Sequence, residues 1–146
     1  MAKAKPINGL DDIVLDAHNA NRGTSRGAAL LERSLDEVGA GRAPVVDAEG
    51  VALAGNKTIQ AFRKKGGKVR VVQTDGSELV IVQRTDLSLA RAPRKARELA
   101  YLDNRTSEVG LQWDPSVLNE DRTSGLVEFE DLGLFTGGEL ANLVAA

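Results

Sequence analysis

The four residues Gly-Asn-Lys-Thr at positions 55–58 combine a flexible backbone position with an amide, an ammonium and a hydroxyl group. They follow a short apolar run and precede a helix-like segment, so they stand where a strand is expected to give way to a helix. The first turn of a helix offers unpaired N–H groups and the positive end of the helix dipole. With the charge of Lys57 added, the pattern is typical of a site for an anion such as a phosphate group.

A purely structural interpretation of the same four residues stays open. Gly55 would allow a turn, Asn56 would cap the helix, and Lys57 would be a solvated charge. The eight-residue phosphate-loop pattern, in which four residues separate two glycines, is absent from the sequence. The chemistry of residues 55–58 is therefore suggestive of phosphate binding but not specific for it.

Two further polar junctions carry the same kind of side chain. Asn21 and Arg22 precede a segment with helical periodicity, and the arginine fork suits bidentate contact with phosphate. Asn104 and Arg105 are predicted at the end of another helix, where they would either reach a ligand or satisfy the last carbonyl groups. His18 is the single imidazole of the chain, and it is either a general base or a structural side chain.

Composition limits the classes of function. The chain has 146 residues, 42% of them apolar and 27% charged, which predicts one ordinary folded domain. Aromatic residues make up 3% and the net charge is −2, so we expect weak, salt-sensitive contact with DNA at most. The absence of cysteine excludes disulfides and thiolate chemistry and fits a cytoplasmic protein. No apolar run approaches the length of a membrane span, so no membrane partner is expected.

The elements that would position these junctions follow from hydrophobic periodicity and turn residues. Helical and strand-like segments are interleaved, which predicts a small α+β domain with a mixed sheet of hairpins and short helices. No second hydrophobic core is expected, and the chain divides into a tail at 1–9, a domain at 10–118 and a helical extension at 119–146 packing on it. Strands are predicted within 44–54 and 69–83, helices at 28–38, 57–65 and 94–102, and two short helices around Trp113–Asp121 and Phe135–Ala146.

Taken in order, the three junctions resemble the ParB/sulfiredoxin fold, and in particular the stand-alone ParB-like nuclease or ParB N-terminal domains of phages, plasmids and integrated elements. The resemblance runs from about residue 10 onwards, and its best part is PVVDAEGVALAGNKTIQAFRKKG. The second part is ELAYLDNRTSEVGLQWD, and the third is NANR before LLERSLDEVG.

In that family the four-residue segment that begins with glycine, here residues 55–58, binds nucleotide phosphates. Partition proteins bind and hydrolyse CTP there, whereas sulfiredoxins use ATP and a cysteine. The resemblance therefore implies CTP or ATP, with Mg²⁺, in a DNA-associated role. Residues 55–58 lack the cysteine of the sulfiredoxins, which excludes sulfinic-acid reduction. They also lack the arginine pair of the partition proteins, which weighs against hydrolysis more than against binding. The implied nucleotide-binding residues are Asn21, Arg22, Gly55, Asn56, Lys57, Thr58, Asn104 and Arg105, with Asp47 or Asp103 for the metal and no catalytic residue assigned.

Two functions of other classes remain as alternatives. A metal-dependent DNA nuclease would need clustered carboxylates, and the sequence has only scattered pairs such as Asp11-Asp12 and Glu120-Asp121. A non-catalytic interaction module would instead serve a DNA-modifying or partition enzyme. No helix-turn-helix pattern follows the predicted domain, so sequence-specific reading of DNA is not expected.

Overall fold

The computed structural model describes residues 3–145 and has a small α+β architecture. Within these residues, no helix has the length and apolar character needed to cross a bilayer. The elements in chain order are a 3₁₀ helix at Leu10–Asp12, α1 at Ser25–Val38, β1 at Val45–Val46, β2 at Ala52–Ala54, α2 at Asn56–Lys65, α3 at Pro93–Val109, α4 at Pro115–Thr123, α5 at Phe129–Leu132 and α6 at Gly137–Ala145.

The two strands form an antiparallel pair, in which Val45 lies opposite Ala54. Their connecting turn is held by the Asp47 carboxylate, which accepts hydrogen bonds from the backbone N–H of Glu49 at 3.0 Å and of Val51 at 2.8 Å. Side-chain bonds of this kind are what favour Asp in turns. The strands predicted within residues 44–54 are therefore confirmed.

Helices α1 and α2 also occur where the periodicity predicts them, with starts that differ by a few residues. The hydroxyl of Thr24 caps α1 by accepting a hydrogen bond from Gly27 N at 2.9 Å. Leu35 and Val38 bury the apolar face of α1. Helix α2 begins directly after Gly55, and Ile59 is 2% exposed in the core beside it.

Helix α3 is longer than the predicted 94–102. It continues to Val109, so Asn104 and Arg105 lie in its interior rather than at its end. The predicted end was wrong because it followed the loss of apolar residues after Ala100. The helix instead continues through polar residues, which can face solvent in a helix, and Gly110 is its C-cap.

The hairpin predicted at 69–83 is only half present. Its turn forms, because Asp75 Oδ1 accepts a hydrogen bond from Ser77 N at 2.9 Å and Gly76 has φ 86°. The flanking runs are not paired strands, since no backbone–backbone hydrogen bond within residues 3–145 involves positions 68–83. Apart from Val69, their apolar side chains are exposed rather than half-buried, so most of the packing that normally holds a ladder together is missing.

Within residues 3–145, two separate apolar clusters are found besides the buried residues of α1, so the expectation of no second hydrophobic core was wrong. The first cluster lies between the strands and α2, around Ile13, Ala52 and Ile59. The second lies between α4, α5 and α6, around Leu118, Phe129 and Leu140. The predicted boundary between residues 118 and 119 falls inside α4, whose Leu118 belongs to the second cluster.

Candidate functional site

Gly55 occupies a backbone position that only glycine fits without strain. Its φ of 83° and ψ of 23° lie in the left-handed region. A Cβ added there would also meet Pro44, 2.8 Å from Pro44 Cβ and 2.9 Å from its Cα. The glycine is thus required by the strand-to-helix junction itself, whatever ligand the junction binds.

Asn56 turns its side chain into the protein. Its Oδ1 accepts a hydrogen bond from Asp16 N at 2.9 Å, and its Nδ2 donates to Ala52 O at 3.2 Å. The residue is only 6% exposed, so this amide ties the junction to the strand and to the preceding loop. For a ligand, Asn56 offers its backbone N–H.

The start of α2 presents several donors that have no acceptor in the described part of the chain. Among residues 3–145, no hydrogen bond engages the backbone N–H groups of Asn56, Lys57 or Thr58. Over the same residues, the Lys57 ammonium makes neither an ion pair nor a hydrogen bond. Unpaired N–H groups at a helix start, with a nearby positive charge, are the usual elements of an anion site.

The side chain of Lys57 lies against the second predicted junction. A Cβ added to Gly23 would fall 2.7 Å from Lys57 Cε and 3.7 Å from Nζ, so the lysine stem passes directly over the Gly23 backbone. Lys57 is half-buried in this position. The tertiary fold thus brings residues 55–58 next to the loop of Asn21 and Arg22, as the phosphate interpretation requires.

Loop 21–24 is itself well anchored. Asn21 Oδ1 accepts hydrogen bonds from Gly23 N and from Gln112 N, both at 2.9 Å. The side chain of Arg22 extends towards Trp113 O at 3.4 Å and towards Asp114, with 3.9 Å between Nε and Oδ2. That ion pair is loose and Arg22 is 53% exposed, so its guanidinium can turn to another acceptor at little cost.

Asn104 and Arg105 are not joined to this junction by any side-chain hydrogen bond or ion pair within residues 3–145. Both are exposed on α3, and Arg105 donates to Glu108 Oε2 at 2.6 Å on the same helix. The structure therefore brings together two of the three predicted junctions.

The two carboxylates predicted for a metal are engaged with protein partners. Asp47 closes the turn between β1 and β2, and Asp103 Oδ2 accepts a hydrogen bond from Arg42 at 2.8 Å. No group of three or more His, Cys, Asp or Glu side chains within residues 3–145 could hold a metal ion. Asp47 and Asp103 are thus both engaged within the protein, and Mg²⁺ usually binds through one or two carboxylates together with substrate phosphates.

Sequence reasoning missed Gly23 and the arginines of a separate cleft. The cleft has a volume of about 520 Å³ and lies between α3 and the run at 80–84, with Leu99, Arg42 and Arg84 in its lining. None of residues 21–23 or 55–58 lines it. The glycine after Arg22 was a usable signal for close approach of a neighbouring chain, whereas nothing local marked Arg42 or Arg84.

His18 is a structural side chain rather than an isolated base. Its Nε2 lies 2.9 Å from Asp121 Oδ1, and this hydrogen bond raises the pKa of His18 above the ordinary value of 6.5. The contact joins the N-terminal loop to α4. A role for His18 in proton transfer at the Lys57 junction has no support from this position.

This pair gives a pH prediction. Because the folded pKa is raised, the stabilisation is fully present below pH 6.5 and is lost as the pH rises through the folded pKa of His18. We expect NMR titration to give a His18 pKa above 6.5 and Asp121→Asn to bring it down. An identical pKa in both proteins would show that the contact is absent in solution.

Trp113 packs in the second cluster, as the sequence suggested when it placed this residue among the last helices. Its ring centroid is 5.6 Å from that of Phe135 in an edge-to-face arrangement. The indole is therefore used for packing and is not presented as a surface on which a base could stack.

Comparisons with protein-family models, with curated proteins and with solved structures find no match to this chain. The interpretation of the site therefore rests on its own geometry.

Proposed function

We propose that this chain binds a phosphate-bearing nucleotide at the start of α2. The observation that carries the proposal is the Lys57 side chain, whose stem is half-buried over Gly23 and whose ammonium has no carboxylate partner in residues 3–145, beside the unpaired N–H groups of α2. The Lys57 charge and the first N–H groups of α2 therefore both lack an acceptor within residues 3–145. A phosphate satisfies the charge and the N–H groups together.

The roles of the individual residues follow from their placement. The backbone N–H groups of residues 56–58 would donate to phosphate oxygens, and Lys57 would neutralise charge. Thr58, half-buried on the first turn, would add its hydroxyl. Arg22 would leave its loose contact with Asp114 and close over the phosphate from the loop side. Arg105 is not part of this arrangement.

The finer identity of the ligand is proposed from the resemblance to ParB-like domains. On that basis the nucleotide is CTP or ATP, accompanied by Mg²⁺ held on its phosphates, and the chain acts in the cytoplasm in a DNA-associated role of a phage, plasmid or integrated element. Phosphoryl transfer depends mainly on positioning and charge stabilisation. Hydrolysis of the nucleotide is therefore compatible with a site that lacks histidine and cysteine, although no residue is assigned to catalyse it.

A thermal-shift screen tests the proposal directly. CTP, ATP, GTP and UTP would each be added with and without Mg²⁺, with inorganic phosphate and the free nucleosides as controls. A nucleotide present at 100 times its Kd should stabilise the folded state by about 2.7 kcal/mol. No stabilisation by any nucleotide would overturn the proposal and favour a non-catalytic interaction module.

A further inference from the structure

Residues 78–84, Glu-Leu-Val-Ile-Val-Gln-Arg, form a run outside the helices and strands that we call the arm. Exposure alternates along it, at 86% for Leu79, 47% for Val80, 76% for Ile81 and 52% for Val82. This alternation is that of a β-strand with two faces. The less exposed face, with Val80 and Val82, lines the cleft against α3, and the other face, with Leu79 and Ile81, is open.

The arm also has backbone groups without hydrogen-bond partners in the part of the chain that the structure describes. Within residues 3–145, no backbone–backbone hydrogen bond involves positions 78–83. An exposed apolar run with free N–H and C=O groups offers a pairing site for an added strand. The backbone N–H and C=O groups of the arm could therefore be satisfied by those of another β-strand.

The charges at the ends of the arm specify the strand that fits. Glu78 stands at one end and Arg84 at the other, separated by apolar residues and Gln83. An antiparallel pair of two arms, related by a two-fold axis at Ile81, places Glu78 of each copy opposite Arg84 of the other. Unlike charges placed directly opposite each other stabilise a strand pair.

The Arg84 side chain is held in place by contacts within its own copy. Its Nε and one terminal nitrogen donate to Asp86 at 2.8 and 2.7 Å, and the other terminal nitrogen donates to Ala40 O at 3.0 Å. A guanidinium group has five N–H donors, so two remain available for a second carboxylate. Since the side chain is fixed, little conformational entropy is lost when Glu78 of another copy arrives.

The open face of the arm adds apolar contact to this pairing. Leu79 is 86% exposed and Ile81 76% exposed, and both would be partly covered by the second copy. We propose that two copies of this chain associate through their arms, antiparallel and two-fold about Ile81. The proposal does not depend on nucleotide binding.

Two measurements on the full chain test the proposal. Sedimentation velocity over a series of concentrations should show a dimer of the wild-type chain. Ile81→Lys should raise the dimer dissociation constant at least tenfold, because two ammonium groups would meet at the axis. The matched control is Leu132→Lys, which changes a side chain that is 64% exposed outside the arm and should leave the dimer unchanged.

Cysteine substitution tests the register, since the chain has no cysteine of its own. Directly opposed Cα atoms in an antiparallel pair lie about 4.5–5.5 Å apart, which a disulfide can span. Ile81→Cys should therefore form a covalent dimer under mild oxidation much faster than Leu132→Cys. A wild-type chain that stays monomeric, a dimer that survives Ile81→Lys, or equal rates for the two cysteine variants would each overturn the proposal. If the wild-type chain is monomeric, the alternative is that the arm pairs with a strand of a different protein.

Discussion

Replacing Lys57 with alanine is expected to raise the dissociation constant for the nucleotide by about 10- to 150-fold, with little change in the free energy of unfolding. Hydrogen bonds to charged groups are worth about 1.5–3 kcal/mol, which corresponds to that range of affinity. Stability should hardly change because two small effects oppose each other. The stem of Lys57 loses its contact with Gly23, but a positive charge is removed from the positive end of the α2 dipole.

The matched control is Lys64→Ala, which removes the same charge from the other end of the same helix. Lys64 is paired with Glu32 at 3.0 Å and is 76% exposed, so its loss should affect neither stability nor binding by more than a small amount. Titration calorimetry of both variants and of the wild-type chain separates a local effect from a general charge effect. Equal affinity of Lys57→Ala and the wild-type chain would show that α2 does not bind phosphate.

A substitution at Gly55 would not test phosphate binding. Any side chain at this position would be strained by the positive φ and would collide with Pro44. Gly55→Val is therefore expected to unfold the junction whether or not a ligand binds there. Loss of binding in that variant would carry no information about phosphate, whereas loss in Lys57→Ala does.

Local sequence patterns predicted the elements whose determinants are themselves local. The cap at Thr24 needs only a hydroxyl at the right position, and α2 needs only its apolar spacing and the glycines on either side. The turn between β1 and β2, Asp-Ala-Glu-Gly at 47–50, is closed by the side chain of its own Asp47. In each case the residues that decide the structure lie within a few positions of one another.

The hairpin at 69–83 was overpredicted because strand propensity measures how well a residue fits a pleated, half-buried surface. Asp75 and Gly76 form the turn that their types favour, but pairing also needs a surface on which Val71, Val72 and Ile81 can be buried. Within one copy these side chains are 39%, 60% and 76% exposed, respectively. If the arms of two copies pair, the sequence was correct about the strand at 79–82 and wrong only about its partner.

The candidate site could be predicted in its parts but not in its assembly. The types and order of residues 55–58 identified a possible anion site, and Arg22 was identified as a second part. Which junctions meet is a tertiary property. It depends on how α1 packs on α3, and this contact also sets how far Arg105 lies from the loop that carries Gly23.

That packing rests on an unusually close approach of two glycines. Gly27, on the first turn of α1, faces Gly110 at the end of α3, and a Cβ added to Gly27 would fall 2.9 Å from Gly110 N and closer still to Gly110 Cα. Thr24, which caps α1, donates its hydroxyl to Val109 O at the same place. The backbones of the two helices are thus in close contact, and the Thr24 hydroxyl bonds to α3, where loop 21–24 enters α1.

We therefore expect Gly27→Ala to destabilise the fold by at least about 2 kcal/mol, because the added methyl group meets main-chain atoms that cannot move aside. The usual effect of this substitution in a helix is the opposite, a gain of about 0.5–1 kcal/mol. Gly138→Ala, in the first turn of α6 with open space around its Cα, should show that gain. Urea denaturation of the two variants gives both free energies of unfolding. A Gly27→Ala variant at least as stable as the wild-type chain would mean that α1 and α3 are farther apart in solution, and the contact of Lys57 with Gly23 would then need to be re-examined.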